Sequence, residues 1–229
     1  MIVTIVGAGR LAEGIAVRAL AGGCTLRLAD AEPGKADALA SRLRARPPQL
    51  RRPRPGGGVE AATDVAGLAG LLAGADVVVL AVPYPEGRRV ASEQGAAMAG
   101  LTVVDTCNPV DFSTFDTLLT SPGMSAAEEI AREVAAVTPA AHVVKAFNTT
   151  FAATLAAGQA AGLPLDVFLA GDDGAAKEAV AALVRSGGMR PVDVGPLRRA
   201  RELEAFQLLH MTLQGPLGLD WGSALKLLP

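Results

Sequence analysis

Aromatic residues, cysteines and histidines are all scarce in this chain of 229 residues. Aromatic side chains make up only 3% of it, so its hydrophobic half must build an aliphatic core. Two cysteines are too few for a disulfide framework, which excludes the small disulfide-rich scaffolds. The net charge of −2 gives no basic surface of the kind that nucleic-acid-binding proteins carry. We therefore expect a globular protein without a nucleic-acid partner.

The chain also lacks an apolar run of the roughly 18 residues that a membrane-spanning helix needs. Met1 leads directly into the apolar stretch Ile2–Val6, without the basic region and cleavage site of a signal peptide. These two features predict a cytoplasmic protein with no membrane partner.

Short β-branched runs alternate with helical stretches along the whole chain. The strongest strand signal lies at residues 76–82, whose apolar side chains suit a central parallel strand buried on both faces. About eight strands separated by helices indicate βαβ units. The predicted fold is α/β: a Rossmann-type, doubly wound, mainly parallel sheet with a small C-terminal helical lobe. We place the larger, N-terminal domain of this fold at residues 1–137. The smaller lobe, which extends the sheet, is placed at residues 138–229.

Two segments stand apart from this alternation. Residues 46–58 are rich in proline, glycine and arginine, and we interpret them as an exposed loop inserted after the second helix. Residues 197–214 are predicted to form one long helix with an apolar stripe on one side. The stripe consists of Leu203, Phe206, Leu209 and Leu213. This stripe packs either on the chain's own sheet or on a partner.

A glycine-rich turn follows the first predicted strand and opens the first helix. It has the G-x-G-x-x-G/A spacing of dinucleotide-binding folds, in the strand–turn–helix context that the motif requires. Gly7 permits the tight turn, Gly9 lets the backbone approach a pyrophosphate, and Ala12 allows close helix–strand packing. The free N–H groups at the helix start then hold the phosphates. The residues assigned to this part of the cofactor site are Gly7, Ala8, Gly9, Arg10 and Leu11.

Asp30 ends the second strand, about 20 residues after the glycine turn. A carboxylate in this position accepts hydrogen bonds from the ribose hydroxyls of NAD and repels the 2′-phosphate of NADP. Arg10, Lys35 and the arginine-rich insert offer positive charge that would instead favour NADP. We assign Asp30 and Lys35 to the cofactor site, and the predicted cofactor is NADP or NAD.

Two further strands end in residues suited to the nicotinamide half of the cofactor. We assign to this group Ala81, Val82, Pro83, Asn108 and Pro109. The carboxyl ends of parallel strands form the ligand-binding edge of such sheets, and the Asn108 amide is a partner for a carboxamide. Cys107 is interpreted as a small apolar filler rather than a nucleophile, because no histidine is near it in the sequence.

The two histidines, His142 and His210, belong to no local acid–base motif. No group of residues has metal-ligand spacing, so no metal is expected, and neither a nucleophile elbow nor a P-loop occurs. A dinucleotide site without an acid–base pair is typical of direct hydride transfer between two bound cofactors, in which no side chain is catalytic. We therefore expect an oxidoreductase.

Several motifs that are more specific than the glycine turn resemble the coenzyme F420-dependent NADP oxidoreductase family. They are SAAE at 125–128, KAFNT at 145–149, PLDVFLAGDD at 164–173, RPVDVGP at 190–196, ARELE at 200–204 and WGSALK at 221–226. Several of them also resemble the cytoplasmic reductase domain of STEAP-type metalloreductases, which pass hydride from NADPH to a flavin. The resemblance covers essentially the whole chain.

The resemblance implies hydride transfer between a nicotinamide dinucleotide and either a deazaflavin (coenzyme F420) or a flavin, usually in a homodimer. The two rings would stack in a cleft between the lobes. The residues that it implies on the acceptor side are Ala146, Phe147 and Asn148. Asn148 would make a polar contact with the nicotinamide or the deazaflavin, and Lys145 is either part of this site or an ion-pair partner.

One departure from the family pattern concerns the nucleotide. The family usually places Gly-Ser-Arg after the second strand, where the serine and arginine hold the 2′-phosphate. This chain has Asp30 and Ala31 there, although the family's later lysine matches Lys35. We predict that NADH binds at least as well as NADPH.

Three other functions stay open on the sequence. One is a dehydrogenase or imine reductase acting on a small organic substrate, although that class needs a long all-helical C-terminal domain and this chain has one long helix after residue 197. Another is a non-catalytic NAD(P)-binding sensor. The third is a soluble partner of a membrane reductase.

Overall fold

The computed structural model describes residues 1–45, 57–138 and 140–228. The strands are β1 (Ile2–Val6), β2 (Thr25–Asp30), β3 (Gly58–Asp64), β4 (Val77–Leu80), β5 (Thr102–Asp105), β6 (His142–Lys145), β7 (Gln159–Ala160), β8 (Leu163–Pro164), β9 (Asp166–Gly171) and β10 (Arg190–Gly195). The helices are α1 (Arg10–Ala21), α2 (Lys35–Ala45), α3 (Leu68–Leu72), α4 (Tyr84–Gln94), α5 (Ala126–Val137), α6 (Ala152–Ala157), α7 (Gly174–Ser186) and α8 (Ala200–Thr212).

Eight of the strands form one sheet in the order β10-β9-β6-β5-β4-β1-β2-β3, and β7 pairs with β8 in a separate hairpin. Within the main sheet, every neighbouring pair is parallel except β6 with β9. β1 lies between β2 and β4, so the strand order changes direction at β1. This is the topological switch point of a doubly wound sheet, and it confirms the predicted fold class.

The aliphatic core lies on both faces of this sheet. Alternate residues of β4 face opposite sides, so Val77 and Val79 pack in one apolar cluster while Val78 and Leu80 pack in another. The first cluster includes side chains of α1, α2, α6 and α7, and the second includes side chains of α3, α4, α5 and α8. Burial on both faces explains why β4 gave the strongest strand signal in the sequence.

The composition of residues 150–161 predicts a helix, but the helix in the structure is shorter. It covers only Ala152–Ala157, because Gly158 adopts a left-handed conformation with φ +71° that ends the helix. The hairpin of β7 and β8 follows at once. The helical composition of the segment was therefore outweighed by a single glycine.

The predicted insert and the strand after it also have different bounds. Residues 59–61 carry only a weak strand signal in the sequence, yet the structure has the seven-residue β3 there. This strand begins at Gly58 and therefore includes the last residue given to the insert. Residues 46–56 of the insert lie outside the described residues.

Helix α8 turns a polar side toward the protein. The segment predicted as one helix over 197–214 begins with a 3-10 turn at Leu197–Arg199 before α8 itself. Leu203 of the apolar stripe is buried, but the other three stripe residues are exposed: Phe206 by 47%, Leu209 by 53% and Leu213 by 40%. The polar residues on the buried side are Glu204, Gln207 and His210. Most of the stripe therefore does not pack on the chain's own sheet.

Strands β6, β9 and β10 continue the same sheet as the N-terminal strands. The division into domains at residues 137 and 138 stays a prediction. Within the described ranges, no helix combines the length and the apolar character needed to cross a bilayer.

Candidate functional site

The carboxyl ends of the central strands lie side by side at one edge of the sheet, here called the carboxyl edge. Just beyond β1, the N–H of Gly7 donates to the carbonyl of Ala29 on β2 at 2.7 Å. The N–H of Ala81, beyond β4, donates to the last residue of β1 at 2.8 Å. The N–H of Ala146, beyond β6, donates to Asp105 of β5 at 3.1 Å. The predicted site residues after these strands are thus placed along one continuous edge.

The two glycines of the turn are required for different reasons. Gly7 has φ +108°, and a Cβ atom on it would lie 2.3 Å from the carbonyl oxygen of Ala81, so only glycine fits. Gly9 is exposed at the start of α1, and a Cβ atom there would meet no atom within 4 Å. The chain's own packing therefore does not demand a glycine at position 9. Open space above an uncapped helix start is what a pyrophosphate needs in order to approach the N–H groups.

Asp30 is held between the glycine turn and the loop after β2. Its Oδ2 accepts the N–H of Ala8 at 2.7 Å, and its Oδ1 accepts the N–H of Glu32 at 2.8 Å. These bonds fix the orientation of the carboxylate. Each oxygen keeps a further lone pair, which is the acceptor that a ribose hydroxyl requires.

The cationic residues predicted for the cofactor site differ in their surroundings. Lys35 begins α2, is exposed, and pairs with Glu32 at an Nζ–Oε2 distance of 2.7 Å. The hydrogen bond and the charge of Glu32 raise the pKa of Lys35. Arg10 is exposed at the start of α1, while Leu11 is half-buried against the core.

Asn108 and Asn148 form a reciprocal pair beyond β5 and β6. The side-chain amide of Asn108 donates to the carbonyl of Asn148 at 2.8 Å, and the amide of Asn148 donates to Asn108 Oδ1 at 3.1 Å. Asn148 is buried, and among the described residues its Oδ1 accepts no hydrogen bond. Phe147 before it has φ +63°, a strained left-handed conformation for a residue with a side chain. The pair thus leaves one buried acceptor, Asn148 Oδ1, unsatisfied by the described residues.

Lys145 belongs to a buried charge cluster rather than to the open edge. Its Nζ donates to Asp105 Oδ2 at 2.8 Å, to Glu204 Oε1 at 2.6 Å and to the carbonyl of Cys107. Glu204 also accepts the N–H of Ala126 at the start of α5, at 2.9 Å. Burial would lower the pKa of Lys145, but the two carboxylates outweigh burial and raise it above the ordinary lysine value. Of the two roles left open for Lys145, the structure places it as an ion-pair partner.

Two other groups near the edge hold their protons at neutral pH. Burial raises the pKa of the Cys107 thiol well above its usual value, and the thiol donates to the carbonyl of Val82 at 3.3 Å. Tyr84, which was not predicted from the sequence, begins α4 and hydrogen-bonds to Glu129. Burial and this carboxylate raise the pKa of Tyr84 to about 12. No sequence motif could have paired Tyr84 with Glu129, because they are 45 positions apart in the chain.

The two histidines each lie near polar side chains of the protein. His142 heads β6 at the opposite end from the carboxyl edge, with its Nδ1 4.0 Å from Asp173. His210 is buried in α8, with its ring nitrogens at 3.2 Å from Gln207 and 2.8 Å from Ser223, and burial lowers its pKa. In the described part of the chain, no three His, Cys, Asp or Glu side chains come together as metal ligands.

Residues 2–109 match the model of a family described as NADP oxidoreductase, coenzyme F420-dependent. The match covers 108 of the 229 residues, just under half of the chain. The matched part includes the glycine turn, Asp30 and the strand ends as far as Pro109. This match confirms the predicted resemblance to the F420-dependent NADP oxidoreductase family, whose printed description is that of an NADP-dependent oxidoreductase.

Individual proteins and solved structures are also similar to this chain. A protein from Arthrobacter sp. FB24, described as an F420-dependent NADP-reductase, has a TM-score of 0.78 and 28% identity over 99% of both chains. The hypothetical protein SMa0349 from Sinorhizobium meliloti has a TM-score of 0.69 and 32% identity over 86% of both chains. Metalloreductase STEAP3 from Rattus norvegicus is 35% identical over 111 residues, which is 48% of this chain. The match spans 21% of that metalloreductase, about a fifth of its length.

Proposed function

We propose that the chain transfers a hydride between NADP or NAD and a deazaflavin (coenzyme F420) or a flavin. The observation that carries this proposal is the glycine turn at the switch point, where Gly9 leaves open space above an uncapped helix start. The dinucleotide would run along the carboxyl edge from Asp30, over the start of α1, toward Ala81 and Asn108. Ligands of doubly wound sheets bind in this crevice.

Each group of the predicted site has a task in this proposal. The turn binds the pyrophosphate, Asp30 orients the adenosine ribose, and residues 81–83 pack on the nicotinamide half. Ala146, Phe147 and Asn148 form the acceptor side together with Asn108 and Pro109. The buried and unsatisfied Oδ1 of Asn148 would accept an N–H from a carboxamide or a deazaflavin ring packed against this edge.

When both cofactors are bound, they supply the hydride donor and the hydride acceptor. The protein aligns the two rings and excludes water from the space between them. Cys107 and Tyr84 hold their protons at neutral pH, because burial raises the pKa of both. They therefore support a mechanism in which no side chain relays a proton during hydride transfer.

The test is to mix the purified chain with F420 and either NADPH or NADH and to follow the deazaflavin absorbance. We expect turnover with at least one of the two nucleotides, and a loss of turnover in Gly9→Ala. Turnover of FMN or FAD instead would keep hydride transfer and change the acceptor. Turnover only of a small carbonyl or imine compound, or nucleotide binding without any turnover, would contradict the proposal.

We also propose that the chain works as a homodimer. The exposed stripe of α8 continues into Leu217, which is 61% exposed, and the opposite side of the helix buries polar groups. A second copy would remove this apolar surface from water. The cytoplasmic location and the absence of a nucleic-acid partner stay predictions.

A further inference from the structure

Two carboxylates and one ammonium group lie in or beside the loop that joins β2 to α2, next to the glycine turn. Asp30 is fixed there by the N–H groups of Ala8 and Glu32, at 2.7 and 2.8 Å. Glu32 follows it on the exposed loop, and Lys35 begins α2. The charges of these three side chains sum to −1. In this fold the ribose of the adenosine half lies next to the residue that ends the second strand.

Lys35 is the cation near this loop that would contact a 2′-phosphate, but it already forms an ion pair with Glu32. Its Nζ lies 2.7 Å from Glu32 Oε2, and both side chains are more than half exposed. A 2′-phosphate would have to compete with this carboxylate for the ammonium group. It would also approach the Asp30 carboxylate, whose orientation is fixed. A 2′-hydroxyl meets neither obstacle, because it can donate to Asp30.

We propose that Glu32 is a specificity-determining residue, which neutralises Lys35 and so selects the 2′-hydroxyl of NAD(H) over the 2′-phosphate of NADP(H). The inference rests on the proposed function, because it requires a dinucleotide on the carboxyl edge. It adds a second carboxylate, Glu32, to the sequence prediction, and this carboxylate acts through its ion pair with Lys35. No motif in the sequence distinguishes Glu32; the ion pair seen in the structure does.

The experiment measures the dissociation constants of NADH and NADPH for the purified chain by nicotinamide fluorescence. We expect the unmodified chain to bind NADH at least as tightly as NADPH. In Glu32→Gln the carboxylate is replaced by a neutral amide of the same shape, which frees Lys35. The ratio Kd(NADPH)/Kd(NADH) should then fall by about fivefold, the effect of one nearby charge at a solvated site.

Two further variants make the result specific. Adding Lys35→Ala to Glu32→Gln should cancel most of the gain, because the freed ammonium group is then gone. Glu178→Gln is the matched control: Glu178 is equally exposed and pairs with Arg185 on α7, and its loss should leave the ratio unchanged.

The outcomes distinguish the proposed role of Glu32 from the proposed hydride transfer. An unchanged ratio in Glu32→Gln, or an unmodified chain that binds NADPH tenfold more tightly than NADH, would overturn this inference and leave hydride transfer standing. Failure to bind either nucleotide would overturn both proposals. The assay contains no hydride acceptor, so the identity of F420 or flavin does not affect it.

Discussion

Gly7 and Gly9 belong to one motif, but the structure separates their roles. Gly7 is required by the fold, because its φ of +108° and the nearby Ala81 carbonyl exclude a side chain. Gly9 has an ordinary negative φ of −77° and empty space where a Cβ would be. A glycine that the fold does not need is best explained by a ligand that does need it.

This difference gives a prediction for two alanine variants. Gly7→Ala should lower the free energy of unfolding by about 3 kcal/mol or more, because it combines a strained φ with a backbone clash. Gly9→Ala should lower it by about 1 kcal/mol or less, the cost of alanine at a helix N-cap. Gly9→Ala should nevertheless weaken nucleotide binding by at least about tenfold. Urea unfolding and a nucleotide titration measure the two effects. Equal nucleotide affinity in Gly9→Ala would contradict the assignment of the turn.

At the scale of elements, the buried cluster around Lys145 ties four parts of the fold together. Lys145 comes from β6, Asp105 from β5 and Glu204 from α8, and Glu204 also receives an N–H from the start of α5. All three charged side chains are fully buried. Removing one member leaves charge without compensation in a low-dielectric interior.

We predict that Lys145→Met lowers the free energy of unfolding by about 3–5 kcal/mol, because two buried carboxylates lose their cation. Lys177→Met removes the partner of Asp193 in a more exposed pair and should cost less than about 1 kcal/mol. Urea unfolding of both variants makes the comparison. Similar losses in the two variants would show that the buried cluster contributes no more than a surface pair.

The part of the chain after α8, here called the C-terminal segment, is held to the sheet by one carboxylate, Asp166 at the start of β9. Asp166 accepts hydrogen bonds from the Arg190 side chain, from Lys226 Nζ at 2.5 Å and from the N–H of Leu227 at 2.9 Å. Burial disfavours its ionised form, but these donors outweigh burial and lower its pKa from 3.8 to about 2. The segment therefore depends on Asp166 being ionised.

The sign of the resulting pH dependence follows from the lowered pKa. Because the folded chain binds this proton less readily than the unfolded chain, the stabilisation is complete above the unfolded pKa of 3.8. It is lost as the pH falls through about 4 toward about 2. Trp221, the single tryptophan of the chain, lies in the C-terminal segment and packs against Phe151.

We therefore predict that Trp221 fluorescence and the free energy of unfolding both change between about pH 5 and pH 2. In Asp166→Asn, which cannot ionise, stability should be lower at pH 7 and should depend less on pH in this range. Asp116→Asn, a change at an exposed loop residue, is the control and should keep the pH dependence of the unmodified chain. An unaltered pH dependence in Asp166→Asn would show that other carboxylates dominate.

At the scale of the whole molecule, α8 presents its apolar stripe outward and its polar residues inward. Its buried polar residues are engaged: Glu204 pairs with Lys145, and Gln207 with His210. The outward stripe has no equivalent partner within the described residues. The proposed homodimer would give the helix a second buried face.

We predict that the unmodified chain has twice the 23.2 kDa mass of one copy in light scattering, and that Leu209→Glu has the mass of one copy. A charge in the middle of an apolar interface has no partner and must be desolvated, which disfavours association. Leu119→Glu changes an equally exposed leucine in a loop and should leave the mass unchanged. A single-copy mass for the unmodified chain would contradict the homodimer.

Local sequence was sufficient for the features that depend on short spacings. The glycine turn, the buried run of β4 and the capping box of Ser125 with Glu128 are each set by residues a few positions apart, and the structure contains all three. The order of strands and helices also follows from such local patterns. Together they determine a doubly wound sheet and the edge at which it binds a ligand.

Only the tertiary structure decided which distant side chains meet. Lys145 and Glu204, Tyr84 and Glu129, and the two asparagines of the carboxyl edge are separated by 40 or more residues, so no local pattern could pair them. The sequence left open which side of α8 is buried for the same reason. Its polar side is buried because Glu204 and His210 have partners elsewhere in the fold, Lys145 and Ser223. Periodicity reports how a helix is patterned, whereas the neighbours supplied by the rest of the chain determine which side is buried.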